Sequence, residues 1–592
     1  MVIVQTQKSQ NLKTKQIKQT KDNMFNQTDE EKMAHIFSKF DTFWIFVTIL
    51  GTYVGLRCVR MFLYVNRLAG FSKKFHYPDS NNFFGVFPQF IQAARESKVS
   101  NSISEKLIEW RMNHTNQHPT KSWVMKITPF HQILSVGCPK LANFLLNLDP
   151  SCAVKGGFSE YLLSTDKRGF NEGLILMEAS EWKKHRNLLK KLFSFKNLAQ
   201  YIDSMDQSAM ALVQSLTNCT GYASRSEGYF NPVQNVIRFT YEVMFKCIMG
   251  EEHVDCLSEH DSERTHDKNI AFFDAIGFAI NWKVRNMPKA IIHSLLWKIP
   301  LLRKIFISNN PVLEDEMMAQ KVRDEYITDI LTVAAQKEEH EFGGMAKLLL
   351  NSRNALKNNK ENESETKSDG NKNDSMKITL ANIKAHLFTF AFAGHETTST
   401  AIRWCLYYLA AHPEWQEIIR TEFEELLATS NGKITSQTIK SATNTNAFIN
   451  EVLRLSHVID IIDTRKLKHD VTLPDGTIMP AGMQFQIDIA NVHLNSDTWG
   501  ANCKEFNPRR WLTESHENEA AMNLERAHLS FSAGKRNCIG KNFAIQEIKI
   551  FLFRLCQNVK IEKKGEAINQ MEGVSWKPKA GSLQHRFTFL NQ

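Results

Sequence analysis

Glycine and proline are scarce in this sequence, at 26 and 15 of 592 residues. Together they make about 7% of the chain, where an average protein carries about 12%. So few turn-formers argue against many short strands and for long helices. The ten cysteines contain no CxxC pair, which excludes a zinc ribbon or a thioredoxin-like redox site. Scattered over a large domain, they read as reduced thiols, most of them small buried hydrophobes. No GxGxxG turn follows a strand, so the chain brings no dinucleotide- or flavin-binding domain of its own. Finger, homeodomain and aromatic RNA-binding patterns are missing, as are solenoid and heptad repeats. There is also no uninterrupted apolar run of the about 20 residues that a spanning helix requires.

What is present is globular. Hydrophobic residues make up 42% and charged residues 23%, which excludes wholesale disorder and a polytopic membrane protein. A net charge of +10, from 73 basic and 63 acidic residues, is a mild excess that suits an acidic partner protein or anionic lipid. Residues 1–42 read as a polar, disordered extension with lysines and no arginine. Residues 43–56 (FWIFVTILGTYVGL) are apolar. Extending this run to residue 65 reaches spanning length only by including Arg57 and Arg60, whose heads can snorkel. The reading is a membrane anchor at 43–65; a soluble amphipathic helix packed on the domain is the alternative. Arg57, Arg60, Arg67, Lys73 and Lys74 follow, and Asp29, Glu30 and Glu31 precede, which places the bulk of the chain on the cytoplasmic side. Residues 75–592 read as one mostly helical domain. Within it, 124–136 is expected to form a β-hairpin. Residues 291–306 (IIHSLLWKIPLLRKIF) suit either a core helix pair or an element dipping into lipid. Residues 357–377 are expected to be a flexible polar loop.

Four stretches carry chemistry. In residues 531–540, FSAGKRNCIG, Cys538 sits in a glycine-flanked loop that runs into an apolar-periodic helix. A thiolate there gains from free N–H groups and the helix macrodipole. Arg536, two residues away, supplies a fixed cation able to pair with a carboxylate. In residues 393–398, AGHETT, Gly394 interrupts a long apolar helix expected from about 379 to 411 and ended by Pro413. Thr397 can bond back to the Ala393 carbonyl and open that helix beside the acid Glu396. In NEVLRL, Glu451 and Arg454 share a helix face at i,i+3. In EWKKHRNLLKKLFS, Trp182 and Arg186 share one at i,i+4.

With FxxGxRxCxG complete and the other motifs in order, the chain resembles the cytochrome P450 family over about residues 124–560. The resemblance implies a mainly α fold with a small β portion, in a single large domain. It implies haem b, with Cys538 as the proximal iron ligand and Phe531 packed beside the haem near the sulfur. Trp182, Arg186, Arg465 and Arg536 would meet the haem propionates, with His528 a weaker candidate, and Gly394 would lie against the cofactor. Glu396 and Thr397 would form the acid–alcohol pair that delivers protons during oxygen activation. Glu451, Arg454 and Arg510 (in FNPRRWL) would hold the proximal side together. The activity implied is a monooxygenase fed by a partner, NADPH–cytochrome P450 reductase or cytochrome b5, at the endoplasmic reticulum membrane, with the catalytic domain cytosolic. Lys535, Lys541 and Lys549 would meet that partner's acidic face.

The Cys loop and its helix are most similar to the fatty-acid ω-hydroxylase branch, which points to an apolar, lipid-like substrate. Three departures stand out. Ala393 occupies the position where many animal members of that branch place the Glu that attaches haem covalently, so non-covalent haem is expected. The prolines that usually follow ExxR are replaced by SHVIDIIDT. In place of a proline-rich hinge, Pro78 and Pro88 stand apart. The rival readings are a P450-fold isomerase or dehydratase acting on peroxides, and a haem carrier or sensor without turnover.

Overall fold

The computed structural model describes residues 121–128, 131–155, 172–222, 227–250, 311–336, 344–363, 378–512, 519–567, 569–572, 575–578 and 583–590, with scattered positions between 56 and 111. The expected extension at 1–42, the segment at 291–306 and most of the anchor at 43–65 fall outside these residues. Within the anchor, Leu56, Val59, Phe62 and Leu63 are helical with exposed apolar side chains. Among the described residues no helix is long and apolar enough to cross a membrane. The chain divides after Gly70 into two units, and the chemistry-bearing elements lie in the second, Phe71–Gln592.

The expected hairpin forms from β1 (Ser122–Thr128) and β2 (His131–Val136), paired antiparallel. It edges a five-stranded sheet of order β1-β2-β7-β4-β3, with β3 at Ala153–Lys155, β4 at Ile461–Leu467 and β7 at Gln484–Asp488. The contact of β2 with β7 is parallel; the others are antiparallel. Two-stranded pairs complete the β portion: β5 (Val471–Thr472) with β6 (Ile478–Met479), β9 (Asn569–Glu572) with β10 (Ser575–Pro578), and β8 (Val559–Gly565) with β11 (Leu583–Phe589).

The helices used below are α1 (Pro139–Leu146), α2 (Ala179–Leu189), α3 (Ile202–Tyr222), α4 (Val233–Met244), α5 (Gly344–Glu363), α6 (Leu380–Ala411), α7 (Pro413–Thr429), α8 (Thr443–Ser456) and α9 (Lys541–Asn558). At the centre runs α6. Thr379 caps it reciprocally with Asn382, satisfying donors that a helix start otherwise leaves bare. It ends at Ala411, and Pro413 opens α7 at a position where a missing N–H costs nothing. Its apolar residues are buried nearly all round, against α4, α8, β8 and β10.

One expectation changes here. Helix α5 runs to Glu363, so 357–363 is helical instead of loop; Lys and Glu are good helix formers, and the packed face of Met345, Ala346 and Leu349 gives the helix its start. Residues 364–377 lie outside the described part. Among the described cysteines, Cys247, Cys405, Cys503 and Cys556 are buried and all eight are unbridged.

Candidate active site

The loop that carries Cys538 is fixed from both ends. The Cys538 N–H donates to the Phe531 carbonyl at 2.9 Å, folding the loop on itself. Gly534 takes φ +70, and a Cβ there would lie 2.2 Å from the Leu146 carbonyl oxygen at the end of α1. Glycine is needed at 534, then, because the protein's own backbone approaches it. Gly540 is the N-cap of α9. The N–H groups of Gly540 and Lys541 reach the Cys538 sulfur, and Arg186 and Lys541 add positive potential. Burial still pushes the Cys538 thiol above its ordinary value, and these donors and cations pull it back in part. Cys538 is nonetheless exposed. The residue is thus accessible, while protein atoms crowd the sulfur closely enough to disfavour the thiolate.

The predicted carboxylate-binding groups come together beside this loop. Two guanidinium groups lie over the Trp182 ring of α2, Arg536 at 4.5 Å and Arg186 at 5.5 Å from its centroid. Arg186 donates to the Asn537 side-chain oxygen at 2.6 Å and Arg536 to the Met177 carbonyl at 2.7 Å. Arg465 sits on β4 between Phe485 of β7 and Lys155 of β3, and it lines one cleft with Arg536, Asp149 and Lys155. His528 does not join them. Its ring packs on His493 (5.4 Å) and Trp511 (4.9 Å) and its Nε2 meets the Ser530 hydroxyl at 2.8 Å. Burial, then Lys541 and Arg454, push its pKa down to about 3, so it supplies no cation at neutral pH.

Behind the loop, Glu451 and Arg454 are fully buried on α8 and pair through both carboxylate oxygens, at 2.9 and 2.8 Å. Arg454 also donates to the carbonyls of His493, Cys503 and Glu505. Glu451 further accepts from Arg510 (2.9 Å), Asn507 N–H (3.0 Å) and the Trp511 indole (3.0 Å). A buried charge cluster satisfied this completely is stable as built. His493 ties it to the Cys loop: its Nδ1–H donates to the Arg454 carbonyl and its Nε2 accepts the Leu529 N–H. The stretch after ExxR is held by Asp460, which pairs with Arg111.

On α6, the Thr397 hydroxyl donates to the Ala393 carbonyl at 2.7 Å, as the spacing predicts. The helix does not open there. It stays continuous from Leu380 to Ala411, because the hydroxyl shares the carbonyl with the backbone without displacing it. Gly394 meets α4: a Cβ would sit 1.7 Å from Met244 Cε. The mid-helix glycine therefore admits a neighbouring side chain. Glu396 is half-buried and points to β10, where Lys577 Nζ (2.8 Å) and Ser575 Oγ (2.7 Å) both reach its Oε1. No motif marks these two partners in the sequence. His395 is turned along its own helix, with Nδ1 2.7 Å from the Ala391 carbonyl.

Lys549 leaves the proposed partner-facing set. It is 5% exposed, its ammonium donates to the carbonyls of Ile439 and Ala442, and burial lowers its pKa to about 8. Its neighbours Ile548, Ile550 and Phe551 are apolar all round α9, which fits a buried position. Lys535 and Lys541 remain exposed, the first paired with Asp149 at 2.8 Å.

The donor set fits a haem. An exposed sulfur at a helix start suits an iron ligand, and guanidinium groups with an indole suit two carboxylates. The cytochrome P450 family model matches residues 111–585. Human cytochrome P450 4Z1 is 30% identical over 72% of this chain and 75% of its own length. Rat cytochrome P450 4F6 is 26% identical over 77% of this chain and 79% of its own. A cyanobacterial structure, CYP120A1 with retinoic acid bound, superposes with a TM-score of 0.61 at 20% identity, over 81% of this chain and 93% of that one.

Proposed function

The chain belongs to the cytochrome P450 family and is a haem-thiolate monooxygenase, and on that premise we propose that it hydroxylates a fatty-acid-like substrate with electrons from a membrane-bound NADPH–cytochrome P450 reductase. When bound, a haem held by these residues would supply the chemistry of O₂ activation and oxygen transfer. The chain's residues bind, orient and move protons. Cys538 would supply the axial sulfur, its charge supported by the N–H groups of Gly540 and Lys541. Arg186, Arg465, Arg536 and the Trp182 indole would hold the propionates, and Phe531 would cover the sulfur side. With Ala393 offering no carboxylate for an ester bond, the cofactor would be non-covalent haem b. Glu396 would take a proton from the solvent side, and Thr397, one residue on, would orient its delivery. Lys535 and Lys541 would face the reductase, or cytochrome b5 as a second donor. The helical, exposed Leu56, Val59, Phe62 and Leu63 would enter the endoplasmic reticulum membrane.

The observation that carries the reading is the exposed Cys538 at the start of α9, with the N–H groups of Gly540 and Lys541 at its sulfur and Arg186 nearby. The substrate class rests on the likeness of the Cys loop to the ω-hydroxylase branch. The test is turnover of fatty acids of graded length by the purified protein with reductase and NADPH. A terminally hydroxylated acid that requires both NADPH and reductase is expected. Conversion of fatty-acid hydroperoxides without either, and no hydroxylation, would replace the reading with the isomerase or dehydratase one.

A further inference from the structure

We propose that Lys577, together with Ser575, is a positioning residue for Glu396: it holds the carboxylate ionised and fixes which of its oxygens is left to carry the proton. The inference rests on the assignment of Glu396 and Thr397 to proton delivery. Both bonds, from Lys577 Nζ at 2.8 Å and from Ser575 Oγ at 2.7 Å, fall on Oε1. Among the described residues Oε2 takes none. One oxygen is thus anchored and the other is available to gain and release a proton.

The pair is enclosed, with side-chain exposures of 12% for Lys577 and 13% for Glu396. A carboxylate so placed without a cation would tend to take up a proton. Here burial pushes its pKa up, and Lys577, His395 and the two hydrogen bonds outweigh it, leaving the carboxyl below its ordinary range. Burial in turn lowers the pKa of His395 itself. Ser575 and Lys577 are two residues apart on β10 and so share a face. That strand is stitched to α6. The Thr400 and Ser575 hydroxyls are 3.2 Å apart, Trp404 Nε1 donates to the Trp576 carbonyl at 2.9 Å, and Arg403 donates to the Pro578 carbonyl at 2.6 Å. The cation is therefore delivered by a docked strand and not by a freely rotating surface lysine.

The test compares the holoenzyme with Lys577→Met, Lys577→Arg, Ser575→Ala and Glu396→Gln. In the resting protein, the infrared band of the protonated carboxyl, assigned by its loss in Glu396→Gln, is titrated against pH. Its midpoint should rise by about one pH unit or more in Lys577→Met, by less in Ser575→Ala, and stay close to the parent in Lys577→Arg. Product formed per NADPH should fall at low pH with the same displacement, at unchanged KM. An unmoved midpoint in both Lys577→Met and Ser575→Ala overturns the clamp even where Glu396→Gln uncouples the enzyme. Intact coupling in Glu396→Gln overturns the proton-delivery assignment, and the clamp's role in the reaction falls with it.

Discussion

Glu451→Ala is expected to cost about 3–5 kcal/mol of stability, the range for breaking a buried ion pair by removing one member. The substitution strands Arg454, which is fully buried, and leaves the Arg510 guanidinium, the Asn507 N–H and the Trp511 indole without the oxygens they share. Unsatisfied buried donors carry their full desolvation penalty, and charged ones more. Against a total of about 5–15 kcal/mol, such a loss leaves little margin. The effect should reach the Cys loop, because Arg454 also fixes the His493 backbone, and His493 receives the Leu529 N–H at the loop's entry. A lower urea midpoint at unchanged slope, together with poor haem retention, is the expected outcome. A shift equivalent to less than about 1 kcal/mol would mean that the cluster behaves as an ordinary surface pair.

The second large effect is on chemistry with the fold intact. In Thr397→Ala the hydroxyl bond to the Ala393 carbonyl disappears, yet α6 keeps its backbone hydrogen bonds, so melting should barely change. If Thr397 orients proton delivery, product per NADPH should fall by about 100-fold, the lower end of what a positioned proton-transfer group contributes. Peroxide release per NADPH should rise in step. NADPH consumption continuing with unaltered coupling would remove Thr397 from oxygen activation.

Much of the arrangement is legible in local sequence because local physics produces it. The Cys538 loop, the start of α9, the ends of α6 at Thr379 and Pro413, the Glu451–Arg454 pair and the 124–136 hairpin all depend on residues within one or two turns of each other. What escapes is set by residues distant in the chain. Gly394 is conspicuous as a mid-helix glycine, but Met244, which fills its space, lies on α4. Gly534 flanks the Cys loop in the sequence, but the Leu146 carbonyl that requires a glycine there lies far away in the chain. Lys577 and Ser575 carry no motif, and they reach Glu396 only because β10 docks on α6. His528 and Lys549 look polar and available in sequence. Burial among aromatic rings takes the first out of play, and the carbonyls of Ile439 and Ala442 take the second.

The central claim is that Cys538 holds an iron through its sulfur. The reduced-plus-CO difference spectrum of the purified protein, recorded beside Cys538→His, tests it most directly. A Soret band at the thiolate–CO position in the parent, lost in the variant, is the predicted result. A haem spectrum without thiolate character in the parent, or a band that survives Cys538→His, would contradict it.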